Sequence, residues 1–423
     1  MSLAAAGAAS AVSVPALASC GTGSGSGDVT LKLVVADYSS KDKPGTTKRY
    51  WEDLVDAFEK DNAGIKINLN VLSWLDVDAK IAQMVKDGNP PDMAQCGGYA
   101  DFAAGRDLYS VDQLLSIPTQ ANFVPAIAAA GEVHRVQYGL PFVSSSRLLF
   151  YNKKLFRNSG LNPAKAPRSW NDIRDYARAM KSAGVEIPYG LPLGKEEAQG
   201  EAMLWMLGNG GGYADESGSY NIDSRENIAT FEWIRDNLTS AGLTNPSPAK
   251  DNRADISDAF IQGKAGMIFG HPTFMQEARQ KGIDLGIAPR LPGKSGPVES
   301  TMGVVDWMMA FRKNGHRKEI GKFLDYVYQD DNVVKFAAAY DLLPVTTSGV
   351  QKMSDSTQHK DLVPFLDQLE NAQFYPLGKT SWGTVNAKVK ADIGKAVEKG
   401  GDDPRTVLSR LQAAAQTAAN EEE

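Results

Sequence analysis

Polar and aromatic side chains recur in this chain where runs of β-type residues stop. Thr30-Leu31-Lys32-Leu33-Val34-Val35-Ala36 ends at Asp37 and Tyr38, Ile65 to Val71 ends just before Trp74, and Met93-Ala94-Gln95-Cys96 ends at Gly97-Gly98-Tyr99. Carboxylates and guanidinium groups make charge-assisted, directional hydrogen bonds. Aromatic rings bury large apolar areas. A set of this kind is suited to holding a ligand. Signs of catalysis are lacking: the four histidines, His134, His271, His316 and His359, are scattered. There is no His-Glu-x-x-His, no cysteine pair for zinc, no Gly-x-x-x-x-Gly-Lys-Ser/Thr and no Gly-x-Ser-x-Gly. With 51 acidic residues, the facing carboxylate pair of a glycosidase remains open.

These residues need elements to hold them. Trp51, Leu54, Val55 and Phe58 recur at helical spacing between Lys48 and Lys60. Ile65 to Val71 alternates strictly, as a strand does. Leu75 to Lys86 reads as a helix, broken at Gly88-Asn89-Pro90-Pro91. The resulting β-α-β-α-β order predicts an open sheet with helices on both faces. Ligands collect beyond the carboxyl ends of such strands. Farther along, helices are predicted over 170–182, opened by Ser169 as N-cap with Asp172 in the first turn, and over 196–207, 227–238, 318–329 and 385–399. Strands are predicted over 283–288 and 304–311. Phe260 to Phe269 reads as a helix end, a turn and a strand.

Several candidates have competing roles. Trp74 is a stacking platform or a hydrophobic staple at its helix start. Asp37 is a ligand acceptor or a turn cap. Tyr99 follows two glycines that let backbone approach a ligand, or it is a loop tyrosine facing solvent. Arg147 is a ligand donor or half of a salt bridge. Glu201 and Trp205 are four apart and share a helix face, presenting an acceptor beside a ring; Trp205 alone reads as core. His271 follows a strand and reads as site or structure.

The chain has an apolar content of 42%, a charged content of 23% and a net charge of −6. No basic cluster stands out, which argues against nucleic acid and against electrostatic membrane binding. The apolar run from Leu3 to Ala18 is too short and too rich in Ala and Gly to span a bilayer. It reads as the apolar part of a secretory signal, although no basic residue precedes Lys32. Leu17-Ala18-Ser19-Cys20 resembles the lipobox of bacterial lipoproteins, which implies cleavage before Cys20 and its acylation. The Gly21-to-Gly27 segment is then a flexible tether. Cys96 is the only other cysteine and is expected to be a buried, inert thiol. About 395 residues follow the tether, more than one core usually serves.

The segment from Pro141 to Asn158, with Pro141, the polar bend Ser144-Ser145-Ser146-Arg147 and Tyr151-Asn152, resembles the signature of the family 1 extracellular solute-binding proteins. Leu148 departs from it, standing where a small residue is usual. Asn89-Pro90-Pro91-Asp92 resembles the family's PPD segment, and Ser169-Trp170-Asn171-Asp172 its TWDE helix start. Phe260 to Met267 resembles its F..GKAAM turn, with Gly266 in place of Ala. Leu342-Leu343-Pro344-Val345 resembles its late G-x-x-P segment without the glycine.

The resemblance implies an α/β, two-lobe periplasmic-binding-protein (Venus-flytrap) fold. Each lobe is then a mostly parallel sheet flanked by helices, and the two are joined by a hinge. Residues 1–27 would be signal remnant and tether, 28–140 plus 265–340 the N-lobe, and 141–264 plus 341–423 the C-lobe. It also implies a monomeric carbohydrate receptor of an ABC importer, for a di- to oligosaccharide with a malto-oligosaccharide-like ligand favoured. The protein would be held at the outer face of the membrane through Cys20, with permease subunits as partners, no cofactor, no metal and no catalytic residue. Gly303 and Asp306 fall where members carry a glycine-rich binding loop, and Trp382 where a platform is common. Together with Asp37, Tyr38, Trp74, Tyr99, Arg147, Glu201, Trp205 and His271 they form the expected ligand set. A lipid-anchored glycoside hydrolase, or a peptide or polyamine receptor of the same fold, is the alternative.

Overall fold

The computed structural model describes residues 28–39 and 43–422. The expected signal, tether and Cys20 lie outside them. The helical stripe read from Trp51, Leu54, Val55 and Phe58 is buried on the helix Thr46–Asp61. Trp51 stacks on Phe142, with centroids 5.4 Å apart. Ser169 and Asp172 form a capping box at the start of helix Trp170–Ser182, each satisfying an amide that the helix end leaves free.

Among the described residues, nine strands build the two larger sheets. In the first, β1 (Val29–Ala36) pairs in parallel with β2 (Ile65–Leu72) and with β3 (Met93–Cys96). In the second, β5 (Leu148–Asn152) and β7 (Ala265–Gly270) form the centre, flanked by β8 (Leu285–Ile287) and β6 (Ile187–Tyr189). The chain leaves the first sheet along β4 (Leu140–Ser146), passes through Arg147, and enters the second along β5. It returns after β8 to β9 (Gly303–Ala310), which lies between β3 and β4 and is antiparallel to both. Each sheet is therefore mostly parallel with one reversed strand, β9 in the first and β5 in the second, each of which arrives from the opposite sheet.

The partition between units differs from the expected boundaries. Strand 265–270 was expected with the first unit, yet it pairs with β5 and β6 in the second sheet. Residues 343–369 were expected with the second unit, but Leu343, Val345, Met353, Phe365 and Leu369 pack in the core of the first. Burial explains the difference. Along β5, Leu148 and Phe150 face that first core, whereas Leu149 and Tyr151 face the second, the period-two alternation of a sheet covered on both sides.

The chain does not close on a helix over 385–399. Helix Trp382–Asp392 passes into a short 3-10 turn, and a further helix, Pro404–Asn420, packs against it. Asp403 caps its start and Pro404 occupies the first turn, a start signal present in the sequence. No helix among the described residues is long and apolar enough to cross a membrane.

Glycine has a specific use in the second sheet. A Cβ on Gly286 would lie 2.1 Å from the ring of Tyr151, its register partner on β5. The ring cannot swing aside freely, because Tyr151 is buried and its hydroxyl donates to Pro163 O at 3.0 Å. Gly286→Ala should therefore lose about 1–3 kcal/mol in urea unfolding, the usual cost of overpacking, despite alanine's entropic advantage in the unfolded chain. An unchanged midpoint would show that the ring yields at no cost.

Candidate functional site

Because β1, β2 and β3 are parallel, their carboxyl ends share one edge, and Asp37-Tyr38, Ser73-Trp74 and Gly97-Gly98 all lie along it. Asp37 closes a turn there, its Oδ1 accepting the Ser39 amide at 2.8 Å. Burial raises the Asp37 carboxyl, but bonds donated by Ser39 and Thr47 outweigh it and hold the group below the usual range. Tyr38 reaches across the edge. Its hydroxyl donates to Asp306 Oδ2 at 2.6 Å and accepts from Gln95 Nε2 at 2.8 Å. Gln95 is itself anchored, its Oε1 accepting the Ala36 amide at 3.0 Å. Burial lifts the Asp306 carboxyl to about 6; the Tyr38 bond opposes the rise and Asp78 adds to it. Trp74 meets the Tyr38 ring edge-on at 5.3 Å and stays 36% exposed.

Beside this edge is a cavity of 540 Å³. The first unit contributes Asp78, Gly97, Gly98, Tyr99 and Trp307. The wall opposite is Tyr375, Leu377, Lys379, Thr380, Trp382 and Asn386. Asp78 Oδ1 accepts the Gly97 amide at 3.0 Å. Tyr99 is buried, with its hydroxyl donating to Ala130 O at 2.6 Å and its ring 4.9 Å from Trp307. It is neither a solvent-facing tyrosine nor one with a free hydroxyl. Trp382 and Tyr375 stack at 5.3 Å. Two buried polar atoms on residues of this cavity have no protein partner, Trp307 Nε1 and Asn386 Oδ1. An unpartnered buried polar atom costs about 1–3 kcal/mol, and both of these atoms are closed off from solvent.

Arg147 lies where the chain crosses between sheets. Its guanidinium donates to Ser145 Oγ and to Glu197 Oε1, both at 3.2 Å, while Arg253 Nε meets Glu197 Oε2 at 2.6 Å. One carboxylate thus engages both guanidiniums. His271 Nδ1 accepts the Phe274 amide at 3.3 Å and caps helix Pro272–Gln280. Burial first, then Arg147 and Arg253, push its pKa well below the usual value, so the imidazole is neutral. Gly303 begins β9, where a Cβ would lie 2.4 Å from the Phe374 ring; the position requires glycine for packing.

Glu201 and Trp205 do share a helix face, but that face is inside the second core. Helix Ala198–Leu207 is buried on every side. Glu201 Oε1 accepts from Tyr189 Oη at 2.8 Å and from Trp205 Nε1 at 3.0 Å, and Trp205 packs among Trp170 and Trp233. Both residues lie away from the cavity. Cys96 is buried as expected, its Sγ 3.4 Å from Gly98 O, and burial pushes its thiol far up. Among the described residues no three His, Cys, Asp or Glu side chains could hold a metal ion.

Sequence reasoning missed Gln95, Asp78, Tyr375 and Asn386. Two carried usable signals: Gln95 is a lone polar residue in an otherwise apolar strand, and Asn386 stands four residues after Trp382 on one helix face. Tyr375 is in a loop and carried none.

A profile of the family described as bacterial extracellular solute-binding protein matches residues 44–334. A binding protein of Brucella abortus is 27% identical over 392 residues, 91% of this chain and 92% of its own length. The sn-glycerol-3-phosphate-binding periplasmic protein UgpB of Escherichia coli is 23% identical over 239 residues, 54% of this chain and 53% of that protein. Among solved structures, the cyclic α-maltosyl-1,6-maltose binding protein of Arthrobacter globiformis superposes with a TM-score of 0.79 at 18% identity, covering 93% of this chain and all of that one (100%). The sugar-binding protein MalE of Xanthomonas citri gives 0.76 at 18% identity, covering 93% and 98%. These structures share the two-lobe fold.

Glu201 makes the core sensitive to pH. Burial raises its carboxyl from an ordinary 4.5 to about 8, the Tyr189 and Trp205 bonds opposing the rise and Glu197 adding to it. A carboxyl raised in the fold gives its full stability below about 4.5 and loses it as pH climbs to about 8. Glu201→Gln keeps an acceptor for both donors and cannot ionise. The variant should therefore gain about 2–4 kcal/mol on wild type between pH 5 and pH 8, read by urea unfolding at each pH. Parallel pH profiles for the two proteins would show that Glu201 is charged in the fold.

Proposed function

We propose, from the premise that this chain belongs to the bacterial extracellular solute-binding proteins, that it captures a carbohydrate between its two units. The ligand class is a di- to oligosaccharide or glycoside, malto-oligosaccharide-like in first preference, passed on to the permease of an ABC importer. The observation that carries this reading is the cavity itself. Its lining carries Asp78, Lys379, Thr380 and Asn386, polar side chains of the kind that pair with hydroxyl groups, which both accept and donate. Tyr375 and Trp382 add stacked rings, and Trp74 a half-open one nearby. A volume of 540 Å³ lies within the ~300–1,000 Å³ of small-molecule sites. The sugars named for the solved neighbours agree with this reading.

Holding a ligand against both walls favours the closed arrangement, since closure is driven by the contacts that only it completes. The protein is then a receptor, with no bond made or broken. Acylation of Cys20 would keep it at the outer face of the membrane, near the permease, and the Ala/Gly-rich composition fits an actinobacterial envelope. The two lobes are best drawn as 28–146 plus 303–371 and 148–287 plus 375–422, which follows the sheets and cores described above.

The relative that binds glycerol phosphate supports a second reading, a phosphorylated polyol. Asp78 and Asp101 line the cavity and its one lysine, Lys379, faces Glu422; this charge balance favours a neutral polyol over a phosphate.

A calorimetric and thermal-shift screen of residues 28–423 against malto-, cello-, xylo- and chito-oligosaccharides, with glycerol 3-phosphate alongside, tests the reading. A ligand at a hundredfold excess over its Kd adds ~2.7 kcal/mol of stability. Saturable binding of one linkage class with no sugar cleaved is the expected outcome. Binding of glycerol phosphate alone moves the assignment to phosphorylated polyols, and slow cleavage moves it to a hydrolase. Trp74→Ala should weaken the sugar about tenfold, the ~1.4 kcal/mol of a lost stacking contact, with the ligand-free melting point nearly unchanged. An unaltered Kd would remove Trp74 from the site.

A further inference from the structure

The second wall of the cavity is carried by the loop Lys379-Thr380-Ser381 and the first turn of helix Trp382–Asp392. That helix begins without a cap from its own side chains. Ser381 stands at the N-cap position but its hydroxyl caps nothing; it shares a hydrogen bond with the Tyr220 hydroxyl at 2.9 Å. The missing acceptor comes from a distant part of the chain, Glu422, two residues beyond helix Pro404–Asn420.

The Glu422 carboxylate engages every residue of the loop. Its Oε1 accepts the Thr380 hydroxyl at 2.8 Å and the Ser381 amide, and its Oε2 faces Lys379 Nζ at 3.8 Å. Lys379 in turn lies over the Tyr220 ring at 5.3 Å. A carboxylate at a helix N-terminus is favoured by the helix dipole, and charged acceptors make the stronger hydrogen bonds. Burial alone would raise the Glu422 carboxyl, but the Ser381 and Thr380 bonds and the Lys379 charge hold it below its ordinary value. Helix Pro404–Asn420 packs along helix Trp382–Asp392, which brings Glu422, two residues beyond it, to the loop.

The geometry points to Glu422 as a positioning residue for ligand capture: it fastens loop 379–381 and thereby sets the Trp382 ring and Asn386 as a preformed wall. Glu422 is not among the residues lining the cavity, so its effect passes through the loop. This inference rests on the cavity being the ligand site. Without the carboxylate, the Ser381 amide and Lys379 lose their acceptor and the loop gains freedom. Ligand binding must then order it, and that cost appears as lost affinity.

The test compares wild type, Glu422→Ala and Glu422→Gln in residues 28–423. In the ligand-free protein, hydrogen exchange at the amides of 380–383 should accelerate about tenfold in Glu422→Ala, with the global unfolding midpoint close to wild type. The carbohydrate identified by the screen should bind five- to tenfold more weakly to it. Glu422→Gln, which keeps the shape and one acceptor oxygen, should fall between the two and preserves the comparison should the alanine variant unfold. Unchanged exchange at 380–383 would overturn the inference, as would faster exchange with unchanged affinity. If wild type binds no carbohydrate, the functional reading fails, while the exchange comparison still decides whether Glu422 holds the loop.

Discussion

Three passages of chain run between the two sheets, and they are fastened to one another. The Thr301 hydroxyl donates to the Arg147 carbonyl at 2.5 Å, tying the first passage to the second. The Gln373 amide donates to Thr301 O at 2.8 Å and the Gly303 amide to Gln373 O at 2.9 Å, tying the second to the third. Gly303 allows this approach because the Phe374 ring occupies the space of its Cβ. Segments joined in this way rotate together far more easily than they separate, so relative motion of the units is confined to a hinge. The walls of the cavity are attached on either side of it.

Charge reinforces the same region. Arg147, Glu197 and Arg253 form a chain of ion pairs beside the first passage, in which Arg147 and Glu197 are largely shielded from water and Arg253 is partly exposed. Buried pairs add little net stability because desolvation offsets attraction, but losing one partner strands the others and is costly. Their contribution here is geometric: Arg147 is held to helix Ala198–Leu207 through the residue that precedes it, Glu197. His271, close enough to feel both guanidiniums, stays neutral and caps a helix. Residues that looked like ligand donors in isolation are therefore committed to the scaffold.

The second sheet is shared between two cores. Phe150 lies 6.0 Å from Phe365, a residue of the first core, whereas Tyr151, one residue on, packs against Phe156 in the second. The first core thus continues under the hinge and buttresses one face of the second sheet. The tryptophans Trp170, Trp205 and Trp233 fill the other side. This division explains why aromatic content was a poor guide to the site. Most of the rings hold sheets, whereas Tyr375 and Trp382 line the cavity and Trp74 stays partly exposed.

Much of the architecture was legible in the sequence because local patterns report local geometry. The stripe Trp51-Leu54-Val55-Phe58, the alternation of Ile65 to Val71 and the Ser169/Asp172 cap each record which residues share a face or satisfy a helix end. The parallel order of the first three strands also sufficed to bring Asp37, Tyr38 and Trp74 to one edge. A sequence pattern does not record what a face will meet. Glu201 and Trp205 share a face as their spacing requires, and tertiary packing turned that face into the core. The Tyr38–Asp306 bond joins residues 268 apart, and the hold of Glu422 on loop 379–381 spans 42 residues to Thr380. Such contacts depend on how distant segments pack within each unit, so periodicity along the chain determined the elements and only the packing of distant elements decided the candidate site.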